Sequence, residues 1–77
     1  MKRRKVESTN VASVGFDPKR KVLEVEFQTG AVYQYREVPK PTYDALLKAD
    51  SKGRYLAANV KGKYPYERID APNKGGT

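Results

Sequence analysis

The feature that most constrains this chain is a change of period at its middle. In Val22–Phe27, Leu23, Val25 and Phe27 fall on one face while Glu24 and Glu26 fall on the other, the alternation of a strand with one buried side. An earlier run, Val11–Asp17, sets Ala12, Val14 and Phe16 on alternate positions. Asp17-Pro18 opens a turn between the two runs, because the Asp carboxylate accepts from nearby backbone amides and Pro presets φ. A third run, Ala31–Val38, follows Gln28-Thr29-Gly30. A three-residue loop ending in Gly suits a type I turn with a bulge, which puts Phe27 opposite Ala31, Val25 beside Tyr33 and Leu23 beside Tyr35. A two-residue Thr29-Gly30 turn would slip the register by one and send both tyrosines to the Glu24/Glu26 side. We adopt the first register, with both tyrosines in the core.

Beyond Val38-Pro39-Lys40-Pro41 the spacing becomes helical. Pro41 suits the first turn of a helix, and Tyr43, Leu46 and Leu47 recur on one face up to Ala49-Asp50. Ser51 is positioned to cap a second helix, with Tyr55, Leu56, Asn59 and Val60 on successive turns and Gly62 as its stop. Pro65 disfavours helix at Tyr64, so Tyr64–Ile69 is extended. These elements predict an α+β domain over residues 11–69: a three-stranded antiparallel meander with two short helices packed on one face. Residues 1–10 are expected to be a flexible basic arm and residues 70–77 a disordered tail.

The match in order of Val11-Ala-Ser-Val-Gly-Phe-Asp-Pro18, Leu23-Glu-Val-Glu-Phe27, Gly30, Tyr33-Gln-Tyr35 and Val38-Pro39 resembles the KTSC domain family. Tyr43, Leu46-Leu47, Ser51-Lys-Gly-Arg-Tyr55, Asn59 and Tyr64-Pro65-Tyr66 continue the likeness over about residues 10–69. The family is named for a module at the carboxy terminus of some lysyl-tRNA synthetases and also occurs as stand-alone bacterial and phage-type proteins. The resemblance implies the fold and a role in binding RNA. Many members carry a second aromatic and an Asn after the position of Tyr55, where this chain has Leu56 and Ala57. That departure removes the case for a helix-borne aromatic contact there.

Composition narrows function by exclusion. The 77 residues hold 16 Lys+Arg against 9 Asp+Glu, with no His and no Cys, for a formal net charge of +7. Without Cys there is no disulfide framework or thiol nucleophile, and without His the usual neutral-pH base and commonest metal ligand are missing. No apolar run approaches the roughly 20 residues of a membrane span. The basic start is followed by polar residues where a signal peptide needs an apolar stretch. The expectation is a cytoplasmic, monomeric protein that is not an enzyme and needs no cofactor.

The candidate binding residues are basic or aromatic. Lys2-Arg3-Arg4-Lys5 can meet phosphates without reading sequence. Lys52, Gly53 and Arg54 open the second helix, where free N–H groups favour an anion, Gly lets a phosphate come close and two cations add charge; the plainer reading is a Ser51 cap with solvated neighbours. Lys61, Lys63 and Arg68 extend that cluster, so residues 51–69 carry five cations against one acid, Glu67. Basic residues interleaved with rings suit single-stranded RNA. Among those rings Tyr55 and Tyr64 are assigned to the core and Tyr66 to the surface. Asn59 is expected to bond the backbone of the closing segment, and Glu24 and Glu26 to lie on an exposed face and offset cations across the sheet.

Two functions fit. One is a small binding module contacting RNA or a ribonucleoprotein through Arg3, Arg4, Lys52, Gly53, Arg54, Lys61, Lys63, Tyr66 and Arg68. The other is a protein-binding regulator, of the phage transcription-regulator kind, docking on RNA polymerase or another large acidic partner through a free edge strand at 11–17 or 31–37.

Overall fold

The computed structural model describes residues 3–69. Five strands run β1 (Arg4–Lys5), β2 (Val11–Asp17), β3 (Val22–Phe27), β4 (Val32–Tyr35) and β5 (Tyr66–Arg68), with α1 (Lys40–Lys48) and α2 (Lys52–Asn59) between β4 and β5. They form one antiparallel sheet in the order β1-β2-β3-β4-β5. The α+β architecture stands, but the expected three strands are five. The two added strands are only two and three residues long, too short to show a period, and each exists because a longer strand offers it a partner. Arg4–Lys5, expected in a flexible arm, pairs with Val14 and Ser13. The tail at 70–77 lies outside the described residues.

The β3–β4 register is the one that puts both tyrosines on the core side, with Tyr35 buried. Leu23 faces Tyr35 and Val25 faces Tyr33, while the Phe27 N–H donates to the Ala31 carbonyl at 2.8 Å. Gly30 supplies the positive φ of +97° this turn requires. In β2 a bulge lies between Val11 and Ser13. It shifts the phase, so Val11 rather than Ala12 is fully buried beside Val14. At the β2–β3 turn Asp17 Oδ1 accepts from the Lys19 and Arg20 amides at 2.9 and 3.3 Å.

One face of the sheet carries the core. Val11, Val14, Leu23 and Val25 pack with Val38, Leu46, Leu56 and Val60, all fully buried, each worth about 1.5–3 kcal/mol in transfer terms. Phe16 stacks on Tyr43 of α1 at 5.1 Å between centroids. Ser51 caps α2 by accepting the Arg54 N–H at 3.3 Å. After Val60, Gly62 turns the chain away at φ +77°. Val6 of the N-terminal segment packs against the same core.

The other face is polar and self-paired. Glu24 is 7% exposed, a correction to its expected exposed position: Arg3 Nη1 bonds its Oε2 at 3.0 Å and Gln34 Nε2 donates to its Oε1 at 2.8 Å. Ser13 Oγ donates to Glu26 Oε1 at 2.8 Å, and Arg36 stands 3.7 Å from Glu67. β5 covers β4 at Tyr33–Tyr35, so 31–37 is not a free edge, whereas β1 covers β2 at Ser13 and Val14 alone, so 11–17 is covered in part.

Candidate nucleic-acid interface

The nine candidate residues do not form one cluster. Arg3 reaches across the polar face to Glu24, away from the helices. Arg4 and Lys52 line one shallow cleft with Lys5, Glu7 and Leu47. Lys52 Nζ donates to the Ala49 carbonyl at 2.7 Å, so its charge serves the end of α1. Arg54 and Lys63 are exposed. Gly53 is held against Asn10: a Cβ there would come within 2.8 Å of Asn10 Nδ2. The space expected for a phosphate at Gly53 is bordered by a carboxamide. The start of α2 is thus an ordinary Ser-capped terminus in its hydrogen bonding.

A different grouping forms at the far end of α2. The β4–β5 register sets Tyr33 opposite Arg68 and Tyr35 opposite Tyr66, so these four side chains share the helix-side face. Tyr66 is 59% exposed and Tyr35 only 2%. The Tyr66 ring lies 5.7 Å from that of Tyr33 and 5.8 Å from that of Tyr35, tilted at 53° and 41°. Phe27 meets Tyr33 edge-on at 5.6 Å. Lys61 Nζ stands 5.4 Å over the Phe27 ring, a cation–π contact. Burial, then the neighbouring Tyr33 and Tyr66, pushes the Tyr35 phenol above the ordinary tyrosine value of 10.0, so Tyr35 stays neutral beneath this surface.

Sequence reasoning named Tyr66, Lys61 and Arg68 as candidates but joined them to the start of α2, assigned Tyr33 to the core rather than to a stacking surface, and did not include Phe27 or Asn10. Tyr33 packs on the core yet remains only partly buried. Tyr55 and Tyr64 pack on the core as expected. Asn59 bonds its own helix instead of the closing segment, donating to the Tyr55 carbonyl at 3.2 Å.

A family model described as KTSC domain matches residues 7–64. The chain belongs to the KTSC domain family. A KTSC domain protein from Yersinia pestis, known from a crystal structure, is similar with a TM-score of 0.86 and 35% identity, over 88% of this chain and 96% of that one. An uncharacterized protein of Stutzerimonas stutzeri is 46% identical over 91% of this chain and its own whole length. A lysine–tRNA ligase of Nostoc is 32% identical over 84% of this chain, which spans only 12% of the ligase. Within this KTSC domain the matched span holds Asn10, Phe27, Tyr33, Gly53 and Lys61, whereas Tyr66 and Arg68 lie just past it. Among the described residues no helix is long and apolar enough to cross a membrane.

Proposed function

We propose that this KTSC domain is a small non-enzymatic binding module that contacts RNA or a ribonucleoprotein, working as a cytoplasmic monomer without a cofactor. The observation that carries the reading is Lys61, seated over Phe27 and beside Tyr33 and the exposed Tyr66, in a chain of net charge +7. A cation among accessible rings suits a polymer that offers phosphates and stackable bases together. The similarity to lysine–tRNA ligases, proteins whose name ties them to tRNA, supports the same reading. The exposed Arg54 and Lys63 and the separate Arg4/Lys52 cleft are the remaining cationic positions offered to phosphates. Docking on RNA polymerase or another acidic protein through an edge strand has less support, because β5 covers β4 and β1 covers part of β2.

The test is titration of labelled RNA at several salt concentrations. If about five phosphates are met on a single strand, log affinity falls against log salt with a slope of about −3 to −5. Absence of binding at low salt removes the proposal. Partners captured from a bacterial lysate that persist after nuclease treatment would instead favour the protein-binding reading.

A further inference from the structure

Lys61 is a ridge between two grooves of unlike chemistry. One, of about 410 Å³, is lined by Asn10, Thr29, Gly53, Phe27 and Tyr33. The other, of about 290 Å³, is lined by Tyr33, Tyr35, Tyr66 and Gly62. Lys61 and Tyr33 border both. The second groove offers three tyrosine rings and a glycine, a lining whose main surface is aromatic and suited to stacking. The first holds a carboxamide and a hydroxyl.

Asn10 is the informative residue in that first groove. Its backbone is pinned: the N–H donates to Ser8 Oγ at 3.2 Å, and the carbonyl accepts from the Gln28 N–H at 2.8 Å. Its exposed side-chain amide has no hydrogen bond within the described residues. A carboxamide carries both donors and an acceptor, the complement of a base edge. Gly53 lets that carboxamide pack directly against its backbone, since a Cβ there would lie 2.8 Å from Asn10 Nδ2.

Resting on the RNA-binding reading above, we propose that this surface takes an unpaired dinucleotide step astride Lys61. The ammonium holds the phosphate, one base stacks on Tyr66, and the other enters the Asn10 groove, where the carboxamide reads its edge. A duplex does not fit this arrangement, because its bases are stacked on one another and the A-form major groove is too deep and narrow for side chains to read. The shared chemistry is an unpaired nucleotide, which RNA and single-stranded DNA both present.

The experiment is fluorescence anisotropy with labelled eight-nucleotide homopolymers of A, C and U as RNA, their DNA counterparts, a self-complementary RNA duplex, and a glutamate octapeptide. Wild type is compared with Tyr66→Ala, Asn10→Ala and Lys61→Ala, all at exposed positions that leave the core intact. Single strands are expected to bind at least tenfold more tightly than the duplex. Tyr66→Ala lowers affinity roughly 5- to 150-fold, the value of one stacked base at about 1.4 kcal/mol per decade. Asn10→Ala brings the homopolymer affinities together, and Lys61→Ala weakens all of them. Equal affinity of RNA and DNA strands assigns recognition to base and phosphate; an RNA preference that survives Asn10→Ala would move the reading to the sugar and overturn the role given to Asn10. If wild type binds no nucleic acid, the RNA-binding reading itself fails. If single strand and duplex bind alike, or Tyr66→Ala and Asn10→Ala both behave as wild type, only the dinucleotide site fails. A glutamate peptide binding as tightly as the oligonucleotides overturns it in favour of an acidic protein partner.

Discussion

Lys61 Nζ lies 5.4 Å from the centre of the Phe27 ring, so a residue just past the end of α2 is held over the last residue of β3. The contact fixes the one cation that borders both grooves. A cation–π pair at an exposed site is worth about 0.5–1 kcal/mol.

Phe27→Leu keeps an apolar side chain but removes the ring quadrupole. We expect a stability loss of about 1 kcal/mol, to which the edge contact with Tyr33 contributes. Nucleic-acid affinity should fall severalfold as Lys61 loses its seat. Urea unfolding and an RNA titration measure the two effects; an unchanged affinity would mean that Lys61 is positioned by something other than the ring.

Arg3 and Glu24 form the tightest ion pair on the polar face, with side chains 29% and 10% exposed. Arg3→Ala leaves a nearly buried carboxylate held by the Gln34 amide at 2.8 Å, and should cost about 1–2 kcal/mol. Glu24→Gln in the Arg3→Ala background should recover part of that loss, since the stranded charge is gone. A double-mutant cycle by chemical denaturation decides it. Losses from Arg3→Ala and Glu24→Gln that simply add in the double variant would place Arg3 among screened surface charges.

Tyr35 gives the fold an alkaline limit. Its phenol is raised above 10.0 by burial first, then by Tyr33 and Tyr66. The folded state therefore binds the proton more tightly than the unfolded chain. That stabilisation is complete below the unfolded value near 10.0 and is lost as pH rises through the higher folded value. Melting temperature followed across the alkaline range should fall more steeply for wild type than for Tyr35→Phe. Parallel curves would show that another group sets the limit.

Lys21 closes the β2–β3 turn at φ +57°, a left-handed conformation that disfavours a side chain. Lys21→Gly relieves that strain at the cost of a more flexible unfolded chain. With the exposed side chain making little packing contribution, we expect a net gain of up to about 1 kcal/mol, read as a higher denaturation midpoint with unchanged slope. A loss would mean that the Lys21 stem stabilises the turn through packing.

Much of this architecture is determined by local chemistry that can be read along the chain. The Leu23/Val25/Phe27 alternation, the Gly30 turn and its register, the Asp17 turn and the Ser51 cap each depend on neighbours within a few residues, where periodicity and turn geometry act directly. Tertiary structure decided the rest. β1 and β5 are strands only because β2 and β4 offer them unpaired edges, and the β2 bulge substitutes Val11 for Ala12 in the core. Charge followed the same division. Seven net positive charges are a property of composition, but which cations share a surface depends on side-chain direction across non-neighbouring segments. Folding sent Arg3 to one face and Lys52 to a helix end, and it set Lys61 among Phe27, Tyr33 and Tyr66. Those residues are far apart in sequence, and only the packing of α2 beside β3–β5 brings them together.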